Sequence, residues 1–182
     1  MKDEHQCVIQ TRAWLEQVII AERFCPFAKE PLMQDKVCFE ASDSTELEQC
    51  LEDVISACQR LDKDSNIETT LVIFANNFDD FYSFLHFIEL ANTLLVQQHY
   101  EGVYQLAHFH PQYCFAGEAE SDPANYTNRA PFPVIHILRE RSLEQQLEQY
   151  KNPEKIPQRN ISHARRLGGE YFIKLLKNIR NM

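Results

Sequence analysis

A chain of 182 residues with 44% hydrophobic and 25% charged side chains can build one ordinary core, and no Gly-, Ser- or Pro-rich linker divides it. This composition excludes a largely disordered chain and a pair of self-sufficient domains. A formal net charge of -9 excludes general nucleic-acid binding as the natural reading, because that binding draws on Lys and Arg at phosphates.

The start, Met1-Lys2-Asp3-Glu4, has no apolar segment behind a basic end, and no apolar run approaches the span of a bilayer. These features predict a cytoplasmic protein with no membrane partner, its six cysteines kept as thiols. Residues 151–182 hold eight Lys or Arg against two Glu, a local charge of +6 that leaves -15 on residues 1–150. A basic helical end resting on an acidic body is the expected outcome. No feature of the sequence specifies an oligomeric state.

In chain order, Val8, Leu15, Val18 and Ile19 beside Trp14 predict a first helix from about His5 to Phe24. Pro26 ends it, which puts Cys25 in extended backbone at the helix C-terminus. Val37-Cys38-Phe39-Glu40-Ala41 reads as a short strand. Ser42, Asp43 or Ser44 then offers an N-cap to a second helix with the buried stripe Leu47, Leu51, Val54, Ile55, Cys58 and Leu61.

After a polar turn, Thr69-Thr70-Leu71-Val72-Ile73-Phe74 is β-branched and almost continuously apolar, the pattern of a central strand covered on both faces. Asn76 or Asn77 caps a third helix carrying Phe81, Leu85, Ile88 and Leu95, with Asp79 and Asp80 in the first turn where the helix dipole favours them. Gly102 releases the chain into a strand from Val103 to His110, and Val134 to Leu138 makes the fourth. A helix from Ser142 to Tyr150 and a helical segment from Asn160 to Leu176, interrupted at Gly168-Gly169, complete the chain.

The order α-β-α-β-α-β-β-α predicts an α/β single-domain sandwich over residues 1–182. Its sheet is mixed and roughly four-stranded, flanked by helices in two or three layers. A long loop at 111–133 and a basic helical C-terminal segment belong to the same unit.

The stretch Ala107-His108-Phe109-His110-Pro111 marks the place where chemistry is to be sought, since two imidazoles two residues apart on a strand share a face and open a loop too long for a connector. If the fourth strand returns antiparallel beside it, His136 approaches the same end.

Phe24-Cys25-Pro26-Phe27-Ala28, Thr69-Thr70-Leu71-Val72, Phe109-His110-Pro111, Phe115-Ala116-Gly117, the run Asn125 to Pro131 and His136-Ile137-Leu138-Arg139-Glu140 occur in that order. As a set they resemble the bacterial family known as domain of unknown function 1415, over nearly the whole chain. The resemblance implies no particular activity, substrate or cofactor. It does imply that His110 is the better family-wide candidate, because the family more usually carries Ser or Thr where this chain has His108.

Three chemistries suit these residues. A thiol enzyme would use Cys25 as nucleophile, His110 as its base and Asn128 or Asn125 to orient the imidazole. At a helix C-terminus that thiol would need His110, Arg23 or Arg129 nearby to ionise. A zinc site would draw on His108, His110 and His136, with Cys25 or Asp122 completing four donors. A small anionic molecule would be held by Arg129, Asn128, Asn125 and Arg139, a guanidinium offering a bidentate fork.

Each residue also has a structural alternative: His110 and the asparagines satisfying backbone groups, Cys25 packing as a small hydrophobe, the arginines in ion pairs. The expected function is a small-molecule enzyme using His-centred acid/base chemistry with His110 and His136, or thiol chemistry at Cys25, on an anionic metabolite. The alternatives are a non-catalytic metal- or ligand-binding protein and a protein-interaction module.

Overall fold

The structure, a computed structural model, describes residues 3–182. Helix α1 spans Glu4–Trp14 and is capped by Asp3, whose carboxylate accepts the His5 N–H at 3.0 Å. It does not continue as an α-helix to Phe24. Leu15–Ile20 winds as a π-helix, and Arg23, left-handed at φ 57°, ends the segment. A five-residue helix, α2 (Lys29–Met33), follows Pro26. Five residues are too few to carry a helical period in sequence.

Strand β1 is Val37–Ser42 and helix α3 is Leu47–Lys63. Glu46 occupies the N-cap of α3 without a side-chain bond, in place of the expected Ser42, Asp43 or Ser44. Ser42 is still in the strand, where its hydroxyl donates to Asp53 at 2.6 Å and accepts the Ser44 N–H at 3.2 Å. Strand β2, Thr69–Phe74, is buried at all six positions, as its aliphatic run requires.

Helix α4 is Phe81–Gln97, and its cap is Asp80 rather than Asn76 or Asn77, the carboxylate accepting from the Ser83 backbone N–H and hydroxyl at 2.7 and 2.8 Å. Asn77 instead accepts the N–H of Phe78, a residue at φ 60°. Strand β3 is Tyr104–Phe109 and β4 is Val134–Arg139. Helices α5 (Glu140–Gln149), α6 (Ile156–Leu167) and α7 (Gly169–Arg180) follow, the last two separated at Gly168, where φ of 82° suits glycine.

The sheet is mixed, in the order β1-β2-β4-β3, with β1 and β2 parallel and β4 antiparallel to both neighbours. Alternation gives it two apolar faces. Leu71, Ile73 and Val134 pack with Trp14, Val18, Phe172 and Ile179 from α1, the π-helix and α7. Val72, Phe74, Ile135 and Ile137 pack with Val54, Leu61, Phe84 and Phe87 from α3 and α4. The result is three layers with the sheet in the middle.

The loop 111–133 folds over the sheet end around a 3-10 turn at Pro123–Thr127. Tyr126 stacks on Phe172 at 5.0 Å, and Arg165 of the basic segment pairs with Asp122 at 2.7 Å and Glu118 at 3.0 Å. Among the described residues no helix is long and apolar enough to cross a membrane.

Candidate functional site

The register between β3 and β4 decides which side chains meet. Ala107 pairs with His136, His108 with Ile135 and Phe109 with Val134. Paired residues share a face, so His136 lies with Ala107 and Phe109, on the side of the sheet opposite His108 and His110. A shift of one residue would have put all three imidazoles together. The expected convergence of His136 with His108 and His110 is therefore corrected, and the zinc arrangement drawn from them does not form. Among the described residues no group of three or more His, Cys, Asp or Glu is placed to hold a metal ion.

His110 is fully buried between Phe81 and Phe84, with ring centroids 5.2 and 5.3 Å away. Its Nδ1 accepts the Gln112 N–H at 3.0 Å, so the proton sits on Nε2, which donates to the Phe78 carbonyl at 2.8 Å. Burial lowers its pKa, opposed in part by the Phe78 carbonyl and by Asp80 and Asp79. With both nitrogens taken and no exposure, this imidazole holds the left-handed turn at Phe78 against the start of the loop. His108 beside it is half-buried and shifted the same way, first by burial and then by His110.

Cys25 lies on the other side of the sheet, so the expected Cys25, His110 and Asn128 arrangement does not assemble. The sulfur lines the cavity that His136 lines. Its position is also not the end of an α-helix: the chain has already turned at Arg23, and α2 starts four residues on. Burial raises the thiol pKa, and the backbone N–H groups of Phe27 and Ala28 and the Arg159 charge only partly offset it.

The four residues expected to hold an anion are engaged with the chain itself. Arg129 donates to the carbonyls of Tyr113 at 3.0 Å and Glu120 at 2.8 Å, its guanidinium lying over the Tyr126 ring. Asn125, fully buried, accepts the Phe115 N–H and donates to the Ala119 carbonyl. Asn128 accepts from the Thr127 hydroxyl and donates to the His108 carbonyl. The Arg139 guanidinium closes the C-terminal end of α3, donating to the carbonyls of Leu61, Asp64 and Ile67 at 2.6, 3.3 and 3.0 Å. Asp122 caps the 3-10 turn and pairs with Arg165, whose hydrogen bonds hold the carboxyl down at about 2.

What the fold does assemble is a cavity of about 220 Å³ between the sheet, the π-helix, α2 and α5. Trp14, Leu15, Ile19, Phe27, Leu71 and Phe109 give it mainly apolar walls. Single-turn π insertions recur at functional sites, and here the widened turn sets Leu15 and Ile19 against the opening.

The polar centre of the cavity is His136. The Thr69 hydroxyl has one proton and gives it to the Ile137 carbonyl at 2.6 Å, so it accepts from Nε2 of His136, also at 2.6 Å. That bond fixes the tautomer and leaves a lone pair on Nδ1. Nδ1 has no hydrogen-bond partner among the described residues and is not one of their buried unpartnered side-chain atoms, which are Thr11 Oγ1 and Thr70 Oγ1, so it is accessible where the ring lines the cavity wall. It therefore stays open to the cavity. Burial pushes the imidazole down to about 4, so it is neutral at physiological pH.

The cavity opens towards a polar groove of about 470 Å³ that shares Phe27, Pro31, Glu68, Ser142 and Gln146 with it. Among the cavity's wall residues, Thr69, Ser142 and Gln146 were not expected in a site, and the π turn at Leu15–Ile20 was not expected at all. A threonine on the same face as the histidine across the sheet is a signal only once the register is known. Leu71 pairs with His136 on β2, and Thr69 is two residues along on the same face.

These features belong to a mixed α/β protein with one largely apolar, histidine-lined cavity. The family described as "Protein of unknown function (DUF1415)" matches residues 6–174, and the chain belongs to it. Comparison with the curated proteins and with the solved structures gave no match.

Proposed function

We propose that the protein binds a small, mainly apolar molecule in the cavity between the π-helix, α2 and α5, and that an O–H or N–H of this ligand donates to Nδ1 of His136. The observation that carries this reading is the tautomer: Thr69 holds Nε2–H, so a bare acceptor faces an apolar hollow. The size agrees. An apolar cavity of about 150 Å³ is enough for benzene, and about 220 Å³ accommodates a substituted phenol.

The reading differs from an anion-binding enzyme in two respects. The guanidinium and amide groups of Arg129, Arg139, Asn125 and Asn128 serve the chain's own backbone. His136 and Cys25, the imidazole and thiol in the cavity wall, are both held neutral by burial, which suits hydrogen bonding better than proton abstraction or thiolate attack.

Calorimetric titration with 4-ethylphenol tests the proposal. Binding by the native chain, weakened at least tenfold by Ala107→Leu, which fills the hollow from β3, is the expected result. Undiminished binding by a folded Ala107→Leu variant, or no binding by the native chain, would overturn it.

A further inference from the structure

We infer that the ligand carries, at the end remote from His136, an uncharged hydrogen-bonding head such as an amide, and that this head lies in the groove along α5. The inference rests on the cavity reading above and adds the ligand class. Helix α5 sorts its side chains by charge. Ser142, Gln146 and Gln149 recur at helical spacing along the groove, with Gln145 beside them, whereas Glu140, Arg141, Glu144 and Glu148 do not line it. The surface presented is hydroxyl and carboxamide, donors and acceptors without formal charge.

Ser142, Gln146 and the Glu68 carboxylate line cavity and groove alike, so they stand where an apolar body would give way to a polar substituent that donates as well as accepts. The Ser142 and Gln146 side chains have no hydrogen-bond partner among the described residues, whereas Gln34 across the groove already donates to Glu30 at 3.0 Å. The groove's charged residues, Glu30, Glu68 and Lys36, sum to one negative charge, which disfavours a carboxylate or phosphate head. Phe27 and Tyr150, an edge-on pair 5.4 Å apart, add an aromatic flank to the groove.

Four probes with one phenolic body separate the cases: 4-ethylphenol has no head, N-acetyltyramine an amide, tyramine an ammonium and 4-hydroxyphenylacetate a carboxylate. Calorimetry on the full chain at neutral pH is expected to rank N-acetyltyramine at least tenfold tighter than each of the others. In a Gln146→Ala/Gln149→Ala variant the affinity ratio of N-acetyltyramine to 4-ethylphenol should fall towards one. Equal affinities of these two for the native chain would overturn the inference while leaving the cavity reading intact. Tightest binding of tyramine or 4-hydroxyphenylacetate would also overturn it. Failure of all four to bind would remove the cavity reading and this inference with it.

Discussion

Replacing His136 by Gln isolates the proton linkage that the cavity imposes. Gln keeps an N–H within reach of Thr69 but does not titrate. In the native chain the imidazole is held at about 4, against 6.5 for the unperturbed group, because burial disfavours the cation. The unfolded chain therefore takes up this proton as pH falls below 6.5, and the folded chain does so only near 4.

The group's contribution to stability is complete above pH 6.5, declines as pH drops through that window, and is flat below 4. The displacement of about 2.5 units corresponds to an upper limit of about 3 kcal/mol at about 1.36 kcal/mol per unit, reduced to the extent that water reaches the ring through the cavity. Urea denaturation of both proteins at pH 7.0, 6.0, 5.0 and 4.0 reads it out. His108 and His110 lie on the opposite face of the sheet from the substituted side chain, so the difference between the two curves reports His136. The native chain should lose roughly 2 to 3 kcal/mol more than His136→Gln over this range. Parallel curves would refute the assignment of His136 as a buried neutral base.

Three further outcomes follow from the geometry. His110→Phe leaves the buried Phe78 carbonyl and the part-buried Gln112 N–H without their partner and should cost about 1 to 3 kcal/mol in urea denaturation, with a loss below about 0.5 contradicting its structural role. Arg139→Lys should destabilise by roughly 1 to 3 kcal/mol, because one ammonium nitrogen cannot reach at once the Leu61 carbonyl served by Nη2, the Ile67 carbonyl served by Nε and the Tyr104 hydroxyl served by Nη1; native-like stability would show that the fork is dispensable. Cys25 should react with iodoacetamide more slowly than a free cysteine at neutral pH, with a rate midpoint displaced to higher pH. Faster alkylation would mean an ionised thiol and would favour thiol chemistry.

Much of the architecture is written locally. The run Thr69–Phe74 declares a doubly covered strand by its β-branched content, Gly168 declares a helix break by its backbone freedom, and the order of periods declares a mixed α/β sheet. The site is not written locally. The face on which His136 lies depends on the parity of a pairing between two strands separated by the whole loop, and one residue of slip inverts it.

The His108 and His110 pair is conspicuous in sequence, yet the partners that occupy both nitrogens of His110 are a carbonyl 32 residues back and an N–H that any residue but proline supplies. Backbone partners leave no trace in residue identity. Helix α2 was illegible for a different reason: five residues with Pro31 inside them carry no period. Cys25 is off the helix C-terminus because the π turn and the left-handed Arg23 end the first helical segment before it.

The central claim is that Nδ1 of His136 is an open acceptor that a ligand fills. A long-range ¹H–¹⁵N correlation spectrum at neutral pH, recorded with and without 4-ethylphenol, addresses it directly. The account predicts an unprotonated Nδ1 and a protonated Nε2 in the free protein, with the Nδ1 resonance moving on titration as it gains a hydrogen bond. A proton on Nδ1 in the free state, or an Nδ1 resonance indifferent to saturating 4-ethylphenol, would contradict it.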